Sequence, residues 1–88
     1  MIKKIKIEWL RCPEARWWSM SADGLCWFSI HKPTLDEDQG IWWCPDEPKL
    51  DRQITDHELR RHWKESLIEA PKYITVLQIE NDVLINDD

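Results

Sequence analysis

Two aromatic-rich runs, Ala15-Arg16-Trp17-Trp18-Ser19-Met20 and Leu25-Cys26-Trp27-Phe28-Ser29-Ile30, flank Asp23-Gly24. An Asp-Gly pair between β-prone runs is the strongest short-range signal for a hairpin with a two-residue loop, whose central residues both take positive φ. That reading pairs Ala22 with Leu25, Met20 with Trp27, Trp18 with Ser29 and Arg16 with His31. One face of the ribbon then carries Trp17, Ser19, Cys26, Phe28 and Ile30, without charge until Lys32. The other carries Arg16, Trp18, Met20, Trp27 and His31. The uncharged face is the better core candidate, and the mixed face reads as half-exposed or partner-facing. A slip of one residue scrambles these assignments.

Tryptophan makes up seven of the 88 residues. A chain of this length supports one core and buries only about 60–65% of its unfolded surface, so large side chains must do most of the stabilising. Each Trp can bury roughly 150–250 Å². A core this small does not hide all seven. With 42% hydrophobic and 33% charged residues, the composition predicts a globular single domain over 1–88 and not a disordered chain.

The net charge of −5 is unevenly spread. Lysines and arginines dominate residues 1–16, whereas residues 33–51 and the tail after Lys72 are acidic. An acidic total argues against a nucleic-acid binder, whose affinity rests on neutralising phosphates. No apolar leader precedes the three cysteines, and no run approaches the ~20 apolar residues of a membrane span. A cytoplasmic protein with free thiols is the expectation.

Ile5, Ile7 and Trp9 alternate with Lys4, Lys6 and Glu8, which predicts a half-buried strand over about 2–10. Pro13 lacks a ladder donor and ends it. After the hairpin, Lys32-Pro33 closes the second strand. The acidic loop 34–40 leads into Ile41-Trp42-Trp43-Cys44, long enough for a third hairpin strand and too short for a helix. Pro45 and Pro48 enclose a second acidic turn reaching to about Ile54. Thr55-Asp56-His57-Glu58 reads as a capping box. Leu59, Trp63, Leu67 and Ala70 then form an apolar stripe, predicting a helix over about 55–69 that Pro71 stops and that leaves Ile68 exposed. Residues 73–79 are β-prone. They predict a C-terminal strand within 72–88, beside the N-terminal strand and ahead of an acidic tail, with Lys3, Lys4 and Lys6 meeting Glu80 and Asp82. The predicted fold is α+β: a small antiparallel sheet of about four strands, of meander or hairpin type, with the one helix packed on one face.

The candidate chemistry is sparse. Cys12, Cys26, His31 and Cys44 are zinc-ligand types, yet no Cys-x-x-Cys or His-x-x-x-His pair brings two of them together. A Cys–His nucleophile would need a thiol with a lowered pKa, and the charges next to Cys44 are Asp46 and Glu47, which raise it. His57 reads as solvated and His62 as a boundary residue of the stripe. Neither a metal nor a cofactor nor a catalytic residue is expected. The tryptophans carry the functional reading, because exposed Trp and Arg are enriched at interface hot spots. Trp18, Met20, Trp27 and Trp42, beside Arg16, are the expected partner-binding residues. Asp36, Glu37, Asp38, Asp46 and Glu47 form a candidate acidic surface, either a phosphate-track mimic or a solvated face that keeps a Trp-rich domain soluble. Stacking of single-stranded bases on the aromatic face conflicts with those acids.

Trp17-Trp18, Asp23-Gly24, Trp27-Phe28, Lys32-Pro33, Trp42-Trp43 and the late Trp63-Lys64-Glu65-Ser66-Leu67-Ile68-Glu69-Ala70-Pro71 recur in one order along residues 5–71. This pattern resembles small Trp-rich accessory proteins of tailed bacteriophages. The resemblance brings no activity, cofactor or catalytic residue with it. It implies a product acting in the cytoplasm of an infected bacterium, in contact with a host or phage protein. The expected function is a non-enzymatic protein–protein binding module, an inhibitor of a host factor or defence component. A homo-oligomeric assembly accessory is the alternative, ahead of an acidic DNA mimic.

Overall fold

The computed structural model describes residues 2–71 and 80–86. In chain order these form β1 (Ile2–Glu8), a 3-10 turn (Trp9–Arg11), β2 (Trp17–Met20), β3 (Leu25–Ser29), β4 (Thr34–Asp36), β5 (Ile41–Trp43), β6 (Lys49–Gln53), α1 (His57–Arg60), a second 3-10 turn (Trp63–Glu65), β7 (Ile68–Glu69) and β8 (Glu80–Asn86). The strands build a four-stranded antiparallel sheet of order β6-β3-β2-β7 and two antiparallel pairs, β1-β8 and β4-β5. The α+β class and the four-stranded sheet are as expected. The order is not that of a meander, since only β2 and β3 are hairpin neighbours within the large sheet.

The central hairpin is present in a different register. Trp17 lies opposite Ser29, Trp18 opposite Phe28, Ser19 opposite Trp27 and Met20 opposite Cys26. A two-residue loop of the expected type needs positive φ at both Asp23 and Gly24, and only Gly24 adopts it, at +89°. The chain instead uses a three-residue loop with the glycine last, a form suited to one left-handed residue. The Ser21 amide donates to the Leu25 carbonyl at 2.9 Å, and the Asp23 carboxylate accepts from the Leu25 amide at 3.0 Å. The extra residue slips the register by one, so that Trp18 and Met20 replace Trp17 and Ser19 on the face of Cys26 and Phe28, which keep their expected side. Trp18, Met20, Cys26 and Phe28 are fully buried, while Ile30 is 50% exposed and Trp17 half-buried.

The core gathers against that inward face. Ile5, Ile7 and Trp9 are buried with the expected period of two, and the Trp9 ring lies 5.8 Å from Phe28 in a tilted arrangement. β1 pairs with β8, which places Lys6 opposite Asp82. The expected partner of the N-terminal strand thus arrives from 80–86. The β-prone stretch 73–79 and the acidic pair at 87–88 lie outside the described residues.

The segment expected to be a turn up to Ile54 contains β6, which pairs with β3 through a bulge. Cys26 lies opposite Arg52 and Trp27 opposite Leu50, leaving Asp51 as the extra residue. Bulges re-aim side chains, and here the result inverts the usual pattern. Leu50 is 52% exposed, whereas the Asp51 side chain is wholly buried. Asp51 Oδ2 accepts from Trp18 Nε1 at 3.0 Å and from Arg52 Nε at 2.9 Å, and Arg11 Nη1 stands 3.1 Å from Oδ1.

The expected helix over 55–69 shrinks to the single turn of α1. Its N-cap is Asp56, one residue later than the expected Thr55, and its carboxylate accepts from the amides of Glu58 and Leu59 at 2.8 and 3.2 Å. A helix of one turn has little intrinsic stability, and contacts with β2 take over downstream. Ser66 Oγ, fully buried, accepts from the Met20 amide at 2.9 Å and donates to the Trp63 carbonyl at 2.6 Å. β7 pairs Ile68 and Glu69 with Trp18 and Trp17, and the Ala70 amide donates to the Arg16 carbonyl at 2.7 Å. Ile68 therefore packs against the core, contrary to the exposed position a continuous helix would give it.

Two substitutions check this account by urea denaturation. Gly24→Ala places a Cβ against the Ile54 carbonyl at a left-handed position. The expected loss is about 2–3 kcal/mol, from left-handed strain and the hydrogen bond of the Ile54 amide to the Gly24 carbonyl. Asp51→Ala orphans the buried Trp18 indole N–H, with an expected loss of about 1–3 kcal/mol, while Asp51→Asn retains an acceptor and loses about 1 kcal/mol. Equal stability of Asp51→Ala and the wild type would remove the carboxylate from the account of the core.

Candidate protein-binding surface

The expected partner surface does not form as expected. Trp18 and Met20 are buried in the core, because the one-residue register slip turns them inward. Arg16 is exposed and Trp27 half-buried, and Trp27, opposite Ser19, lies on the other face of the hairpin from Trp18 and Met20. Trp42 is half-buried, and its Nε1 donates to the Trp63 carbonyl at 3.0 Å, which makes it an anchor. The outward aromatic is its neighbour Trp43, 55% exposed.

The β4-β5 hairpin produces this surface. Thr34 lies opposite Trp43, Leu35 opposite Trp42 and Asp36 opposite Ile41. Alternation along β5 sends Trp42 inward, so Trp43 must point away from the core. The loop between them closes on Gly40, at φ +70°, whose amide donates to the Asp36 carbonyl at 3.0 Å. The Asp36 carboxylate accepts from the Gln39 amide at 3.2 Å. The Gly40 carbonyl accepts from the Ala22 amide at 2.8 Å, docking the small hairpin on the turn of the large one. Sequence reasoning missed β4, because Thr34-Leu35-Asp36 is masked by the acids that follow. The readable signal was a β-prone triplet, a loop ending in glycine, and a second triplet.

Two depressions meet at the Trp43 ring. One is an apolar groove of ≈ 240 Å³ between Trp27, Ile41, Trp42, Trp43, Cys44 and Pro48. The other is a broad open cleft of ≈ 630 Å³ lined by Thr34, Leu35, Asp36, Glu37, Asp38 and Trp43. The five carboxylates of the candidate acidic surface are divided. Asp36, Glu37 and Asp38 share the open cleft. Asp46 Oδ2 is 3.5 Å from His31 Nδ1, and Glu47 borders a small cavity with Cys12 and Lys49. Within the cleft Glu37 is paired with Lys64 at 3.3 Å. Neither Asp36 nor Asp38 has a cationic partner among the described residues.

All three thiols are shifted upward from the ordinary thiol range. Burial, then the nearby Asp51 carboxylate, pushes Cys26 up to about 12. Burial also raises Cys12, with Glu14 adding to it. Cys44 is raised chiefly by burial, with Asp46 adding to it. Among the described residues no three His, Cys, Asp or Glu side chains converge as metal ligands. None of the described helices is long and apolar enough to cross a membrane. No family model matches the chain, and neither a curated protein nor a solved structure matches it.

Thiol chemistry reads out this arrangement. With an aromatic disulfide reagent at pH 8, the half-buried Cys44 reacts first, and Cys12 and Cys26 react only on unfolding. Cys26 also has a pH signature. Its folded pKa lies above the unfolded value, so the unfolded state releases the proton first. The stability it lends is complete below pH ~9 and declines as pH rises towards 12. The alkaline decline is therefore steeper in the wild type than in Cys26→Ala, and parallel curves would contradict the burial of this thiol.

Proposed function

We propose that this chain is a non-enzymatic protein-binding module that engages its partner through the β4-β5 hairpin around Trp43. The observation that carries the reading is a tryptophan more than half exposed at the junction of an apolar groove and an open cleft. Concave apolar ground with a central aromatic is the usual setting of an interface hot spot. Trp27, Trp42 and Ile41 form its floor, and Leu35 extends it on the far side of the ring. The resemblance to bacteriophage accessory proteins supports a host bacterial protein as the partner, inhibition of a host factor or defence component as the outcome, and the host cytoplasm as the location.

A second reading is self-association, favoured by a different patch: Leu50, 52% exposed on β6 at an end of the four-stranded sheet. One experiment separates the two. The wild type, Trp43→Ala and Leu50→Asp are compared by light scattering and by capture from bacterial lysate. A monomer whose specific partner is lost in Trp43→Ala alone supports the first reading. An oligomer dissolved by Leu50→Asp supports the second. Trp43→Ala keeps its stability within about 0.5 kcal/mol of the wild type, as expected for an exposed site.

A further inference from the structure

We infer that the hairpin surface receives an extended segment of another protein carrying an arginine two residues from an aliphatic residue. The guanidinium lies over the Trp43 ring in the open cleft, and the aliphatic side chain enters the apolar groove. The inference rests on the protein-binding reading above and adds the chemistry of the partner.

Three features converge on it. Trp43 is the shared wall of both depressions, so a ligand that fills one is brought against the other. The cleft side is anionic, and Lys64 answers only Glu37, leaving Asp36 and Asp38 to a cation from outside. An anionic ligand is repelled there, which excludes phosphate backbones. The groove side is apolar, so a purely cationic ligand leaves it unfilled.

Geometry favours arginine over lysine. A guanidinium stacks flat on an indole while its fork of N–H donors meets a carboxylate edge-on, whereas an ammonium ion does one or the other. The protein already shows what a lysine does on such a ring: Lys32 Nζ sits 5.4 Å from the centroid of Trp17. Trp17 is thereby supplied from its own chain. Among the described residues no cation lies over the Trp43 ring and no hydrogen bond engages its indole. Residues i and i+2 of an extended chain lie on one side at roughly 6.5–7 Å spacing, which suits two depressions divided by one ring.

Fluorescence anisotropy with labelled peptides of defined sequence tests the inference. The four probes carry, at positions i and i+2 of a glycine–serine background, arginine and leucine, lysine and leucine, arginine and glycine, or glutamate and leucine, so that each pair lies on one side of the extended chain. Arginine–leucine is expected to bind tightest, with lysine–leucine weaker, and arginine–glycine and glutamate–leucine weaker by about tenfold or more. Trp43→Ala loses about tenfold for arginine–leucine. The combined Asp36→Asn, Glu37→Gln, Asp38→Asn variant brings arginine–leucine and glutamate–leucine to similar affinity. Circular dichroism verifies that both variants are folded. Binding of glutamate–leucine within threefold of arginine–leucine, or an unchanged affinity in Trp43→Ala, would overturn the inference. If none of the peptides binds while Trp43→Ala still loses the lysate partner, the cationic–apolar assignment falls and the binding-module reading stands. If arginine–leucine binds in the expected pattern and lysate capture does not depend on Trp43, the surface chemistry stands and that reading falls.

Discussion

The buried indole N–H of Trp18 is the constraint on which the four-stranded sheet turns. A Trp donor taken out of water needs an acceptor, since leaving it unpaired costs about 1–3 kcal/mol. The bulge of β6 answers this by projecting Asp51 inward, where Oδ2 lies 3.0 Å from the indole. A carboxylate in that position demands compensation in turn, because burial disfavours the charged form. Arg52 supplies it from the next residue, and Arg11 from the 3-10 turn after β1. One hydrogen bond thus ties together β2, β6 and the N-terminal turn. Leu50, on the outside of the bulge, is the apolar residue displaced by this choice.

How much of this was legible depends on where the deciding physics was local. The site of the central hairpin, the buried alternation of Ile5, Ile7 and Trp9, and the α+β class follow from turn residues and from a period of two. Register did not follow, because Asp23-Gly24 is compatible with two loops differing by one residue. The choice is made by whether Asp23 takes positive φ, and that decision swapped Trp17 for Trp18 in the core. Lys49-Leu50-Asp51-Arg52-Gln53 has no strand signature at all. It is a strand because β3 offers an edge, and its one charged inward residue is explained only by the indole 33 positions earlier. The segment 61–69 shows the converse. Trp63 of its apolar stripe reaches the core as a helix would require, yet the hydroxyl of Ser66 and the edge of β2 hold the segment in a turn and a short strand.

The same logic sorts the tryptophans and explains why the surface aromatic is Trp43. Trp18 is inward with Asp51 as its acceptor, and Trp42 is inward with the Trp63 carbonyl as its acceptor. Once Trp42 is anchored, alternation along β5 forces Trp43 outward. Trp17 gains a lysine over its ring, and Trp27 is half covered by the small hairpin. An indole left about half exposed forgoes on the order of 1–1.5 kcal/mol of burial. That loss is ordinary for a single surface residue. Its position is what distinguishes it, since Leu35, Ile41 and Trp27 approach from both sides and the acids stand beyond them.

The acids gain a role from this placement that composition could not assign. Spread along residues 33–51, they read equally well as a solubilising face or as a track imitating phosphates. Folding divides them: Asp46 goes to His31, Glu47 to a separate cavity, and Asp51 to the interior. What remains beside Trp43 is Asp36, Glu37 and Asp38, too few and too local for a track. Three carboxylates with a single lysine among them, set against an open aromatic ring, make a compact site for one cation. The surface around Trp43 therefore has a polarity, apolar on the Trp27 side and anionic on the Asp36 side. On the proposed reading, a partner is selected by matching both halves in order, which an isolated exposed tryptophan could not require.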